Sequence, residues 1–140
     1  MTLSEFIQKN DGQPVVYKKY AWVGASCVAL ARTWVEALGF PQFPGVTGAA
    51  DIWRKYQPDL YERIACAPGL YPTAGDLVIW RRVYIAPGRV TPGHIAIAVF
   101  GEFCFSQNDP VKSLAHIREY PGFKNVLGWL HPINRGQNAP

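Results

Sequence analysis

The period of apolar and polar positions changes near residue 76. Over residues 26–38, placed at about 100° per residue, Leu30, Ala31, Trp34, Val35, Ala37 and Leu38 share a side with Cys27, and Arg32, Thr33 and Glu36 fall opposite. That stripe predicts an amphipathic helix. Ser26 is placed to cap it, Gly39 to stop it, and Pro41 follows. Upstream, residues 2–10 read as a short helix, with Ser4 and Glu5 leading into Phe6 and Ile7 and a turn over Asp11-Gly12-Gln13-Pro14. Residues 15–25 are an irregular, aromatic-rich approach. Ala49–Tyr56 reads as a second good helix, with a further helical piece over Asp59–Ile64. From Asp76 onward the runs are short and β-rich: 76–80, 94–100, 103–106, 114–119 and 126–131. Helices first and strands afterwards predict an α+β fold, its antiparallel sheet having about five to six strands.

Composition narrows this further. A chain of 140 residues is one ordinary domain, expected over 1–135 with a loose tail at 136–140. With 49% hydrophobic and 17% charged residues it is neither disordered nor fibrous. Thirteen Gly and twelve Pro favour turns over long helices. No apolar run is long enough to span a membrane, and the N-terminus lacks a basic-then-apolar pattern, so neither membrane nor Sec-type export is expected. The net charge of +4 suits a polyanionic partner. The basic residues are scattered, however, with no run longer than a pair such as Lys18-Lys19 or Arg81-Arg82, unlike a nucleic-acid footprint.

The chemistry starts from three cysteines, Cys27, Cys66 and Cys104, without a CxxC. An odd number at these spacings argues against a disulfide framework and a structural zinc site. Cys27 falls in the first turn of the best helix, where the dipole favours a thiolate. His94 opens a strand directly after Gly93. A hairpin joining 94–100 to 103–107 would return Asn108 beside it as the group that orients the ring. Together these make a thiol, an imidazole and an orienter.

At these residues the chain resembles the CHAP family, the cysteine, histidine-dependent amidohydrolases/peptidases. Gly24-Ala25-Ser26-Cys27-Val28-Ala29-Leu30 resembles the family's Cys block. Pro72-Thr73-Ala74-Gly75-Asp76-Leu77-Val78-Ile79-Trp80 resembles its Pro-x-x-Gly-Asp strand. Gly93-His94-Ile95-Ala96-Ile97 resembles its His strand, and Phe105-Ser106-Gln107-Asn108 falls where the family has hydrophobic-Glu-Gln-Asn. The resemblance implies a papain-like fold and cleavage of an amide bond in bacterial peptidoglycan, by a muramoyl-alanine amidase or a peptide endopeptidase. It implies Cys27 as nucleophile, His94 as base and Asn108 as orienter, with no cofactor. The partner would be the cell wall, the enzyme a monomer. The setting would be that of a single-domain phage endolysin, held in the host cytoplasm until released, or of a delivered effector.

Two departures stand out. Ser26 replaces the family's usual Gln, a contributor to the oxyanion hole, and Ser106 replaces a frequent Glu. Ser26 and Ser106 therefore remain oxyanion and orienting candidates, and Tyr17, Trp22 and Trp80 are candidates for lining a substrate cleft. Some family members bind calcium through acidic residues before the Cys; residues 15–26 hold no Asp or Glu, so no metal is expected. Cys66 and Cys104 read as unreactive, His116 and His131 as structural, and Asp76 as a turn cap. A non-catalytic wall-binding module on the same fold is the alternative, and a basic nucleic-acid binder a more distant one.

Overall fold

The computed structural model describes residues 1–14, 26–45, 48–90, 93–107 and 114–133. Its first helix, α1 (Leu3–Asn10), is closed by a capping box. The Thr2 hydroxyl accepts from the Glu5 amide at 3.1 Å, and the Glu5 carboxylate accepts from the Thr2 amide at 3.3 Å. Phe6 is its buried residue and packs on Trp34 and Phe105, with ring centroids 5.0 and 6.2 Å away.

Helix α2 (Ser26–Ala37) follows the sequence pattern closely. Gly39 adopts φ +78° beyond its end, where its amide closes on the Glu36 carbonyl at 2.9 Å. One polar position departs from expectation: Arg32 is 1% exposed. The loop after α2 folds back over it. The Arg32 guanidinium donates to the Phe43 carbonyl at 3.1 Å and lies over the Phe43 ring, while Gln42 donates to the Arg32 carbonyl at 2.9 Å. Those partners make burial of a cation tolerable.

Helix α3 (Ala49–Arg54) is shorter than the expected 49–56, ending ahead of Gln57-Pro58. The helical piece expected over Asp59–Ile64 is a correction. A single turn at 57–61, closed by the Tyr61 amide on the Gln57 carbonyl at 3.0 Å, leads into strand β1 (Tyr61–Ala65). Its backbone pairs with β8 (Val126–Pro132) rather than with itself.

The remaining strands are β2 (Leu77–Trp80), β3 (Tyr84–Ala86), β4 (Arg89–Val90), β5 (His94–Phe100), β6 (Phe103–Ser106) and β7 (His116–Glu119). Among the described residues, six of the eight form one antiparallel sheet in the order β1-β8-β2-β5-β6-β7. A small β3–β4 hairpin, not foreseen as strands, turns at Pro87-Gly88. The fold is α+β and papain-like.

Alternation along the strands gives the sheet two packed faces. Leu77, Ile79, Ile95, Ile97, Phe105 and Leu130 join Cys27, Val28, Ala31, Trp34 and Val35 of α2 in the main core. Val78, Trp80, Ala96, Ala98, Cys104 and Trp129 form a second core with Phe123. Strand β2 is buried along its whole length.

Candidate active site

Cys27 stands in the first turn of α2, 3% exposed and not in a disulfide. Helix α2 packs against β5, the strand that His94 opens. The elements carrying thiol and imidazole are thus neighbours, while the His94 ring itself packs on Trp80 of the second core and Cys27 belongs to the main one.

Several contacts fix His94. Its backbone pairs with Trp80 at the end of β2. Gly93, at φ +88°, brings the chain within reach of the Trp80 carbonyl and of Ala49 and Ala50 at the start of α3. The imidazole lies on the Trp80 ring, centroids 5.1 Å apart, and near the Tyr120 ring at 5.7 Å. Its Nε2 is 3.1 Å from the Tyr120 hydroxyl. That hydroxyl is in turn 2.6 Å from the Ser106 hydroxyl, at the end of β6. Burial, and then the charge of Arg118, push the His94 pKa down to about 4. The ring is therefore a neutral imidazole near pH 7, in the form that accepts a proton.

Tyr120 was not singled out in the sequence. It lies 26 residues from His94, just before Pro121-Gly122, where spacing gives no hint of a shared site. Its amide donates to the Glu102 carbonyl at 2.9 Å, and the Gly122 amide donates to the Glu102 carboxylate. Its ring packs on Trp80 at 4.7 Å. These contacts hold the phenol across the end of the sheet.

Of the other residues expected at the site, Ser106 reaches it through Tyr120. Trp80, only 8% exposed, forms the floor beneath His94 and Tyr120. Tyr17, Trp22 and Asn108 lie outside the described residues, as does the Ser26 side chain. The stretch weighed for calcium, residues 15–26, is likewise outside them except for the Ser26 backbone.

The remaining cysteines and histidines go elsewhere. Cys104 is fully buried in the second core, and burial pushes its thiol up to about 12. Cys66 is half-buried and lines a cavity of about 440 Å³ with Pro68, Tyr71, Glu102, Phe123 and Val126. His116 pairs with Asp11 at 3.1 Å. His131 pairs with Asp76 at 2.7 Å, and the same carboxylate accepts from the Thr73 amide at 2.8 Å. Asp76 therefore caps its turn and also ties it to β8. Among the described residues, no three His, Cys, Asp or Glu side chains group as a metal site would need.

Comparison with known proteins adds one point about the fold. The chain is similar to a crystal structure from Staphylococcus aureus of a protein described as similar to lipoprotein, of the NLP/P60 family. The TM-score is 0.51 and the sequence identity 24%. The match covers 94% of this chain and 40% of that one, so the chain spans less than half of that protein's length. No family model and no curated protein matches the sequence.

Proposed function

We propose that the protein is a cysteine amidohydrolase or peptidase that cleaves an amide bond of bacterial peptidoglycan, with Cys27 as nucleophile and His94 as general base. The observation that carries the reading is the packing of α2, which begins at Ser26-Cys27, against β5, which begins at a neutral His94. The resemblance of the Cys, Gly-Asp and His blocks to the CHAP family supports it, as does the papain-like fold.

In the proposed reaction His94 takes the Cys27 proton as sulfur attacks the amide carbonyl. The oxyanion is met by the Cys27 amide, in the first turn of α2 at the positive end of the helix dipole, with Ser26 as the second candidate. Collapse breaks the C–N bond; the imidazolium gives its proton to the leaving amine, and a thioester remains. Water, deprotonated by His94, then releases the carboxylic acid and restores the thiol. Tyr17 and Trp22 are the proposed walls of the cleft; Asn108, the orienter expected from the sequence, lies outside the described residues. The proposed setting is a phage endolysin.

The test is clearance of a cell-wall suspension. Cys27→Ala should abolish it with the fold kept, and Cys66→Ser should retain most of it. Undiminished clearance by Cys27→Ala would end the reading. Mass spectrometry of the digest then identifies the bond cut. A second reading, a wall-binding module without catalysis, draws on the near-complete burial of Cys27. Retention on purified peptidoglycan with no lysis by the unmodified protein would favour it.

A further inference from the structure

We infer that Tyr120 is the positioning residue that holds His94 as the Nε2–H tautomer, so that Nδ1 is the nitrogen that takes the Cys27 proton; this rests on the thiol–imidazole reading above. The geometry is specific. The Tyr120 hydroxyl faces Nε2 at 3.1 Å and the Ser106 hydroxyl at 2.6 Å. The phenol thus occupies Nε2, and Nδ1 is the ring nitrogen left for a thiol. The short bond is the one to Ser106. For Nδ1 to act as the base it must be bare, so the ring proton sits on Nε2 and the phenol oxygen accepts from it.

A neutral imidazole carries one proton. With that proton on Nε2, the Nδ1 lone pair is open to a thiol. When Nδ1 is protonated during the reaction, the Nε2–H bond to Tyr120 becomes charge-assisted and shortens, so Tyr120 also stabilises the imidazolium. Where the resembling family often carries a Glu, this chain has Ser106, and Tyr120 spans the gap from Ser106 to the ring. The phenol supplies direction without a negative charge. Its own place is set by Trp80 and Glu102, so the orientation is built before substrate arrives.

The experiment is nitrogen-15 NMR of the histidine rings at neutral pH, paired with steady-state kinetics on one soluble peptidoglycan fragment. His94 should show a protonated Nε2 and a bare Nδ1. Tyr120→Phe keeps the ring on Trp80 and removes only the hydroxyl. It should mix the tautomers and lower kcat on the order of 10- to 100-fold, with KM moving less than about two-fold. Ser106→Ala should fall between the two. A His94 protonated on Nδ1 in the unmodified protein, or Tyr120→Phe that leaves tautomer and kcat unchanged, overturns the inference. Full activity in Cys27→Ala would instead overturn the reading beneath it, and the NMR result separates the two failures.

Discussion

The backbone at Gly93 passes so close to Trp80 that a Cβ added there would stand 2.7 Å from the Trp80 carbonyl oxygen. Gly93 also has φ +88°, which L side chains rarely adopt. Both features sit next to His94, so the glycine sets where the imidazole begins. Gly93→Ala should destabilise the fold by roughly 1–3 kcal/mol. It should lower kcat more than its stability loss explains, because His94 shifts with the backbone. Urea unfolding together with activity well below the melting transition checks this; a variant with wild-type stability and turnover would refute it.

Acid should act through His94. Its folded pKa, near 4, lies below the ordinary 6.5 because the ring is buried. Between these values the unfolded chain takes up a proton that the folded chain refuses. Stability therefore falls as pH drops from about 6.5 to 4, by up to roughly 3 kcal/mol, and levels off below. Urea midpoints across that window should fall less steeply in His94→Gln than in the unmodified protein. Parallel slopes would show that His94 is not the buried neutral group.

The Asp76–His131 pair makes a separate prediction at the other end of β2. Burial raises the Asp76 carboxyl, and His131 and the Thr73 amide pull it back. His131→Ala leaves the buried carboxylate with the amide alone, costing about 1–3 kcal/mol. Adding Asp76→Asn to His131→Ala should recover part of it. Thermal melts of the single and double variants at pH 7 decide; a His131→Ala protein that melts with the unmodified one, or a double variant no more stable than the single, would contradict the assignment.

A chelator should leave activity and melting temperature nearly unchanged, because residues 15–26 supply no Asp or Glu ahead of Cys27. A melting temperature that drops with chelator and returns with calcium would contradict this.

Much of the fold was legible because its signals are local. Cys27, Leu30, Ala31, Trp34 and Val35 repeat at helical spacing and do face the sheet. The alternation from His94 to Phe100 marked β5 to the residue. Misreadings arose where a distant partner decides. Tyr61–Ala65 has no strong period of its own, and becomes a strand because β8 offers it backbone partners. Arg32 looked solvent-facing until Gln42 and Phe43 folded back over it. At the candidate site, Cys27 and His94 draw notice by position, in a first helical turn and at a strand start. Tyr120 does not, since only the packing of its ring on Trp80 brings its hydroxyl to His94.

If Cys27 is the nucleophile it carries the acyl group during turnover, and that species can be trapped. The protein is mixed with a peptidoglycan fragment, quenched in acid within the first turnover, digested and mapped by mass spectrometry. A thioester is expected on the peptide containing Cys27, absent from Cys27→Ala and present, with slower formation, in Tyr120→Phe. An adduct on Cys66 or Cys104, or continued fragment cleavage by Cys27→Ala, would contradict it.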